Sequence, residues 1–136
     1  MVTRALAKVL VDTSVWIEFF RKNEPYHDIV KRMIDHEEIC LTGVIVAELM
    51  QGAKSEKELA VLLNFPQVFD FIPETHQLWV EAGRLAFNLR RKGITVGLSD
   101  CYIAVAAASA HAQVATLDGH FTVLSAPAKI KLFDFV

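Results

Sequence analysis

The chain has 136 residues, of which 53% are hydrophobic, and its formal charge of -2 arises from 14 basic and 16 acidic side chains. This length predicts a single domain over residues 1–136. The near-neutral charge argues against nucleic-acid binding through bulk positive charge. To bind a polyanion, the protein would need local basic patches or bound cations. Two distant cysteines, Cys40 and Cys101, argue against a disulfide framework and a zinc site, and fit a reducing cytosol.

Short apolar runs alternate with helical patterns along the first half of the chain. The run at 9–11 is β-branched and ends at polar residues, which predicts a buried strand. Hydroxyl residues or proline stand where helices begin, because they satisfy or tolerate the unpaired backbone amides there. In chain order we predict strand 9–11, helix 15–21 capped by Thr13 or Ser14, a helix opened by Pro25 with Ile29, Met33 and Ile34 in register, strand 38–41, a helix capped by Thr42 and closed by Gly52, and helix 56–63 opened by Ser55.

The second half continues this alternation. A long helical pattern carries one apolar face, and a glycine follows it as a stop signal. The elements predicted here are strand 68–72, a helix from Thr75 to about Lys92 with Leu78, Ala82, Leu85 and Leu89 on one face and Gly93 at its end, helix 100–110 capped by Ser99, strand 114–117 and a short strand 131–135. Alternating strands and helices predict an α/β fold, a three-layer α/β/α sandwich with a mainly parallel central sheet.

Four acidic residues occupy positions where a charge needs an explanation. Two of them follow predicted strands directly, one lies in an otherwise apolar helix and one lies in the first turn of an alanine-rich helix: Asp12, Asp118, Glu48 and Asp100. Each has a structural explanation of its own. Asp12 could cap a helix, and Asp118 could form an Asp-Gly turn. Asp100 could interact with the helix dipole, which is worth about 0.3–1 kcal/mol, and Glu48 could pair with Lys54 or Lys57.

Together the four acids predict a different arrangement. In a parallel sheet the carboxyl ends of the strands and the N-termini of the following helices share one edge, so all four carboxylates can meet in one cleft. Carboxylates packed together raise one another's pKa unless a cation is present. Hard oxygen ligands without cysteine or histidine suit Mg²⁺ or Mn²⁺, and such an ion indicates metal-assisted hydrolysis of a phosphodiester.

The motifs VDTSVW, VAELMQG, LSDCYIAVAA and VATLDGHF, in this order, resemble those of PIN-domain ribonucleases, in particular the toxins of VapBC-type toxin–antitoxin pairs. The resemblance covers nearly the whole chain and implies an endoribonuclease that depends on Mg²⁺ or Mn²⁺. It implies that the catalytic, metal-binding acids are Asp12, Glu48 and Asp100, with Asp118 as the fourth. Two hydroxyl residues, Ser14 and Thr116, match the family's supporting positions.

The sequence departs from this resemblance at His120, where many members carry a second acid, and we expect the imidazole to contact substrate. Basic residues of the long helix are the other candidates for phosphate contact. Arg84 and Arg91 lie about two turns apart on the same face, although basic residues near a helix C-terminus also offset the helix dipole. Arg21 and Lys22 form a second, weaker basic patch.

Two other functions compete with a nuclease. A catalytically inactive PIN fold could serve as an RNA-binding or scaffolding module, but the presence of all four acids argues against it. An α/β phosphatase of the haloacid-dehalogenase type requires Asp-x-Asp after the first strand, where this chain has Asp12-Thr13-Ser14.

The resemblance also implies partners: an RNA substrate, a cognate antitoxin and a second copy of the chain in a homodimer. The apolar helices at 15–20 and 29–34 and the mean hydropathy of +0.33 indicate a surface that a partner covers. We expect an antitoxin to anchor on the aromatic residues of the first helix, Trp16, Phe19 or Phe20.

No targeting or membrane segment is expected. Charges at Arg4, Lys8 and Asp12 interrupt any signal-peptide core. The apolar stretch 101–110 is shorter than the roughly 20 residues that span a bilayer. These features predict a cytoplasmic protein without a membrane partner.

Overall fold

The computed structural model describes residues 7–135, in which four parallel strands form one sheet flanked by helices. Arg4, on which the expected absence of a targeting segment partly depends, lies outside the described residues. In chain order the elements are β1 (Lys8–Val11), α1 (Thr13–Phe20), α2 (Tyr26–His36), β2 (Glu38–Leu41), α3 (Gly43–Gln51), α4 (Glu56–Leu63), α5 (Phe65–Val68), β3 (Asp70–Phe71), α6 (His76–Arg91), α7 (Leu98–Ser109), β4 (Gln113–Ala115) and α8 (His120–Ser125).

The sheet has the strand order β3-β2-β1-β4, and every neighbouring pair is parallel. β1 is central, with Val9 opposite Ile39 on one side and Gln113 on the other. A parallel sheet is covered on both faces, which explains why β1 is a continuous apolar run rather than an alternating one. Val9, Leu10 and Val11 are fully buried. The predicted α/β fold with a mainly parallel sheet is confirmed.

Three polar residues stand at one edge of the sheet, each directly after a strand. Asp12 follows β1, Thr42 follows β2 and Thr116 follows β4. The side chain of Thr42 is buried and accepts a hydrogen bond from the Ile45 amide, so Thr42 caps α3 as the sequence predicts. The helix that starts at this edge carries Glu48.

The first helix begins earlier than predicted. α1 starts at Thr13, with Asp12 in the N-cap position and no hydrogen bond from its side chain to the helix. Ser14 does not cap the helix, because its hydroxyl donates to the Asp12 carboxylate.

The cap predicted at Ser99 is also wrong. α7 begins at Leu98 after Gly97, so Ser99 lies inside the first turn. Ser55 opens α4 as predicted, and Thr75, where the long helix was predicted to start, caps α6, because each hydroxyl accepts a hydrogen bond from an amide three residues later.

Two of the later predicted strands are shorter in the structure. Only Asp70–Phe71 of the predicted strand 68–72 pairs with the sheet, because Val68 ends the short helix α5. β4 ends at Ala115 rather than at residue 117, since the Thr116 side chain turns towards Asp12.

The C-terminal region differs most from the prediction. Residues 131–135 contribute one isolated bridge, between Leu132 and Val114, instead of a strand. The short helix α8 was not predicted, because the Asp-Gly pair that precedes it is also a common turn signal.

Trp16 belongs to the core. It is 1% exposed, and its ring centroid lies 5.0 Å from that of Phe65 and 5.5 Å from that of Phe69. The expectation that Trp16 anchors an antitoxin is therefore wrong, since a partner cannot reach the ring. Phe19 and Phe20 are half-buried at the margin of the same aromatic cluster and keep exposed surface.

Helical periodicity placed most buried residues correctly. α2 buries Ile29 and Met33, but Ile34 is 41% exposed, because consecutive helical residues point about 100° apart. α6 buries Leu78, Ala82 and Leu89, with Leu85 half-buried. No helix within residues 7–135 is long and apolar enough to cross a membrane.

The end of α6 gives a test of the fold. Gly93 has φ +82°, a left-handed conformation, and an added Cβ would meet no atom within 4 Å. Gly93→Ala should therefore lower the free energy of unfolding by about 1–2 kcal/mol through backbone strain alone. Gly83→Ala, inside α6 with equally open surroundings, should raise it by roughly 0.5–1 kcal/mol. Urea titrations of both variants measure these changes, and equal effects of the two substitutions would contradict the assigned helix end.

Candidate active site

Asp12 is the most deeply placed acid of the cleft at the strand edge. It is 5% exposed, and its backbone amide donates to the Ala115 carbonyl at 2.9 Å, which extends the β1–β4 pairing by one residue. Its carboxylate oxygen Oδ2 accepts hydrogen bonds from the Ser14 and Thr116 hydroxyls, both at 2.9 Å. Because both bonds fall on the same oxygen, they fix the orientation of the carboxylate.

The same two hydroxyls connect Asp12 to the loop after β4. Ser14 Oγ accepts a hydrogen bond from the Leu117 amide at 3.0 Å, and Thr116 Oγ1 accepts one from the Asp118 amide at 3.0 Å. Each hydroxyl therefore has a backbone donor, and its own proton is directed to Asp12. This network holds Asp118 in a fixed position relative to Asp12.

Asp118 and Asp100 share one histidine. His120 Nδ1 lies 3.4 Å from Asp118 Oδ1 and 3.5 Å from Asp100 Oδ2. The His120 amide also donates to Asp118 Oδ1, at 2.9 Å. One ligand atom from each of these three residues lies within 4.8 Å of the other two, which is close enough for all three to bind one ion.

Glu48 completes the group of acids from α3. Its Oε1 accepts a hydrogen bond from Thr13 Oγ1 at 3.3 Å. Loss of water around the carboxylate raises the pKa of Glu48, and the charges of Asp12 and Asp100 raise it further, while the Thr13 hydrogen bond lowers it. Glu48 forms no ion pair with a lysine in residues 7–135, so the alternative that a nearby lysine neutralises it is not seen.

Asp100 links all the other acids electrostatically. Burial raises the pKa of Asp100 most, the charges of Asp118 and Asp12 raise it further, and His120 lowers it. The charges of Asp12 and Asp100 in turn raise the pKa of Glu48. The structure therefore brings the four sequence-predicted acids into one cleft, although Asp12 and Glu48 lie outside the tight three-residue group around His120.

The two predicted arginines do not contact the four acids in residues 7–135. Arg84 lines a groove with Val105 and Ala108 of α7, and Ala108 is roughly two turns, or about 12 Å along the axis, beyond Asp100. The guanidinium of Arg91 lies 5.7 Å from the centre of the Phe87 ring. Neither arginine makes a hydrogen bond or ion pair with the four acids in the described part of the chain, and their contact with phosphate stays a prediction.

Two other cations share a groove with an acid of the cleft. Arg21 and Lys54 line a groove of about 480 Å³ whose wall includes Glu48. The sequence marked Arg21 only as part of a weaker patch and Lys54 only as a possible partner of Glu48. The tertiary contact between α1, α3 and the loop after α3 brings them to one surface, and no local sequence signal indicates it.

Glu74 is a further residue that the sequence analysis missed. Its Oε1 accepts a hydrogen bond from the Gly43 amide at 3.0 Å, and its Oε2 accepts one from the Tyr102 hydroxyl. A Cβ at Gly43 would lie 3.1 Å from Oε1, so the absence of a side chain allows this approach. Glu74 joins the start of α3 to α7, the helices that carry Glu48 and Asp100. Glu74 follows the end of the third predicted strand, Ile72, by two residues. This position near a strand end is the signal by which the sequence could have indicated it.

The donor set fits a hard divalent cation. It consists of carboxylate oxygens with one imidazole nitrogen at the rim. Burial is the main cause that raises the pKa of Glu48 and of Asp100, and repulsion from neighbouring acids raises both further, so a cation would stabilise the charged forms. The groove beside Glu48 leaves space for a substrate or partner next to the acids.

Comparison of sequences identifies relatives over most of the chain. The sequence model of the PIN domain matches residues 9–126. The tRNA(fMet)-specific endonuclease VapC of Salmonella typhimurium is 30% identical over 115 residues, which cover 82% of this chain and 86% of that protein. Ribonuclease VapC1 of Methanocaldococcus jannaschii is 25% identical over 101 residues, which cover 74% of this chain and 68% of that protein.

Solved structures show the same fold. DNA-bound VapBC from Salmonella typhimurium matches with a TM-score of 0.73 and 26% identity, over 96% of this chain and 100% of that chain. VapBC2 from Rickettsia felis, bound to a fragment of promoter DNA, matches with a TM-score of 0.74 over 93% and 97% of the two chains. Its sequence identity is 20%, so this second match concerns the fold alone.

The raised pKa of Asp100 predicts how stability depends on pH in buffer without divalent cations. The folded protein holds this proton more tightly than the unfolded chain, whose carboxyl titrates near 3.8. The stabilising contribution is therefore complete below that pH and is lost as the pH rises through the folded value. Asp100→Asn cannot ionise, so its free energy of unfolding relative to wild type should be higher at pH 7 than at pH 4.

Denaturant titrations across this pH range, with EDTA present, measure the difference. Asp35→Asn is a suitable control, because it removes an exposed acid of α2 far from the cleft. A stability difference between Asp100→Asn and wild type that stays constant from pH 4 to pH 7 would contradict the electrostatic coupling of the acids.

Proposed function

The chain belongs to the PIN domain family and to its VapC ribonuclease group, and on this premise we propose that it is a divalent-metal-dependent endoribonuclease, the toxin of a toxin–antitoxin pair. Its substrate is RNA, its site of action is the cytoplasm, and its partners are a cognate antitoxin and a second copy of the chain. The observation that carries the proposal is the arrangement of Asp12, a buried acid oriented by two hydroxyls beside three other carboxylates.

The four acids would hold Mg²⁺ or Mn²⁺. Asp12 and Asp100 approach from β1 and α7, Glu48 from α3 and Asp118 from the loop after β4. An ion bound there supplies positive charge to the phosphodiester and activates water for attack. The negative charges of the acids repel anions, so a phosphate would enter the cleft only where a cation balances its charge.

The neutral residues of the site position the acids. Ser14 and Thr116 direct their protons to Asp12 Oδ2, and Thr13 directs its proton to Glu48 Oε1. Hydroxyl donors suit this role because they fix a carboxylate without neutralising the charge that a metal ion requires.

Several basic residues would contact the RNA backbone. Arg21 and Lys54 border the groove at Glu48, where a phosphate next to the cleft would meet them. Arg84, beside the later part of α7, would be a more distant contact for a long RNA, and Arg91, stacked on Phe87 at the end of α6, would be another. His120, at the rim of the cleft, is the remaining contact predicted from the sequence.

The groove beside Glu48 would also receive the antitoxin. Its walls include exposed or half-buried apolar side chains of α1, Ile17 and Phe20, together with the cations Arg21 and Lys54. An extended or helical tail could bury apolar side chains there while a basic residue reaches Glu48 in place of the metal ion's charge. The solved VapBC structures named above contain the VapB and VapC proteins together.

Substitution of the first acid tests the nuclease proposal. Asp12→Asn keeps the shape of the side chain and removes its charge, so cleavage of RNA should fall by roughly 100-fold or more. Sequencing of RNA ends after brief expression of wild type and variant measures the effect in cells, and purified proteins with Mg²⁺ or Mn²⁺ measure it in solution. EDTA should stop cleavage by wild type.

Asp35→Asn should cleave like wild type, because this acid is exposed on α2. Identical RNA ends from wild type and Asp12→Asn would favour the alternative of an inactive RNA-binding or scaffolding module. Cleavage that persists in EDTA would contradict the proposed metal dependence but not the proposed ribonuclease activity.

The groove gives an independent test of the antitoxin. Ile17 lines the groove and is 36% exposed, whereas Val61 of α4 is 47% exposed and lies outside it. Ile17→Asp should weaken binding of the small protein encoded beside this chain by roughly tenfold or more, because it places a charge in the apolar wall. Val61→Asp, the same change on another surface, should bind normally. Calorimetric titration of both variants with that small protein measures the two affinities. Equal affinities would contradict the assignment of the groove as the antitoxin site.

A further inference from the structure

His120 has a geometry that contact with substrate does not explain. Its Nδ1 faces both Asp100 and Asp118, at 3.5 Å and 3.4 Å from their nearest oxygens, rather than the groove at Glu48. We propose that His120 binds the metal ion directly through Nδ1, together with Asp100 and Asp118, and that this nitrogen makes the site select Mn²⁺ over Mg²⁺. The inference rests on the proposed function, because it concerns the metal ion of the same cleft.

The three side chains match the spacing that one ion requires. Their ligand atoms lie within 4.8 Å of one another, and the two distances from Nδ1 are 3.4 and 3.5 Å. Neighbouring ligands of an octahedral ion with bonds of about 2.1 Å are about 3 Å apart. A small inward movement of the side chains would therefore bring all three atoms to bonding distance.

The surroundings favour this role. The His120 amide donates to Asp118 Oδ1 at 2.9 Å, which holds the start of α8, and with it the imidazole, next to the carboxylate. To bind a cation through Nδ1, the neutral ring must carry its proton on Nε2. The His120 side chain is 58% exposed, so water can accept a hydrogen bond from that proton. No rearrangement of the fold is needed.

The chemical consequence is a change in metal preference. Mg²⁺ favours oxygen ligands and keeps its water molecules, whereas imidazole nitrogen binds transition-metal ions better. A site of carboxylates and one imidazole should thus prefer Mn²⁺ to Mg²⁺ more strongly than a site of carboxylates alone. His120→Asp would give an all-oxygen site at the same position.

A second histidine cluster provides an internal comparison. Glu24, His27 and Asp28 also place their ligand atoms within 4.8 Å of one another. The His27 ring stacks on Phe19 at 5.1 Å between centroids, and its cluster lies at the start of α2, away from the four acids. Substitution of His27 therefore serves as a control for the substitution of His120, because it removes another histidine that lies near acids.

The experiment uses the full chain with Mn²⁺ as probe. Pulsed electron paramagnetic resonance of the bound ion detects nitrogen-14 coupling from a coordinated imidazole, and calorimetry gives the affinities for Mn²⁺ and Mg²⁺. We expect nitrogen coupling in wild type and in His27→Asn, and its loss in His120→Asn. Mn²⁺ affinity should fall by roughly tenfold or more in His120→Asn, with a smaller change for Mg²⁺. His120→Asp should bind Mg²⁺ at least as tightly as wild type.

Each other outcome overturns the proposal in a distinguishable way. Mn²⁺ bound with normal affinity but without nitrogen coupling in wild type would exclude His120 as a ligand and leave the nuclease proposal intact. Loss of coupling in His27→Asn rather than in His120→Asn would assign the ion to the cluster on α2. Absence of any divalent binding to wild type would overturn both this inference and the proposed metal dependence. Circular dichroism of each variant establishes that the fold is retained.

Discussion

Repulsion among four carboxylates at one edge of a parallel sheet is the constraint on which the rest of the site depends. Each acid is delivered by a strand end or by a helix that starts at that edge, so the fold itself forces the charges together. Burial and mutual repulsion raise the pKa values of Glu48 and Asp100. Carboxylates with pKa values raised in this way cluster at functional sites, and on the function proposed above a divalent cation would convert the repulsion into affinity.

The chain surrounds these acids with hydroxyl groups and one imidazole rather than with lysine or arginine. Three hydroxyls orient Asp12 and Glu48, and one imidazole lies between Asp100 and Asp118. A permanent cation in the cleft would compete with the metal ion, whereas a hydroxyl only fixes geometry. The basic residues accordingly stand outside, with Arg21 and Lys54 in the groove beside Glu48. On the function proposed above, this separation would let RNA phosphates meet Arg21 and Lys54 at the border of the groove, whereas a basic residue of an antitoxin would meet Glu48.

The central parallel sheet and the core hold the elements that carry the site. β1 is fully buried between β2 and β4, and the aromatic cluster around Trp16 packs α1 against α5. Glu74 adds a second brace, because it hydrogen-bonds the start of α3 and the Tyr102 side chain of α7 at once. A metal site requires ligands held within fractions of an ångström, and packing and hydrogen bonds of this kind would support the proposed site.

The sequence alone determined the α/β fold, most helix ends and the four acids, because these depend on local patterns: apolar runs, capping residues and charges at strand ends. Prediction from the sequence failed where a side chain has two possible partners. Ser14 caps nothing because Asp12 lies within reach, and β4 stops at Ala115 because Thr116 also turns to Asp12. Only the tertiary structure decided that Trp16 is inaccessible, that Arg84 lies beside the far part of α7, and that His120 lies between two acids. The physical reason is that helical periodicity fixes the face on which a residue lies, whereas its neighbours across that face come from segments distant in the chain.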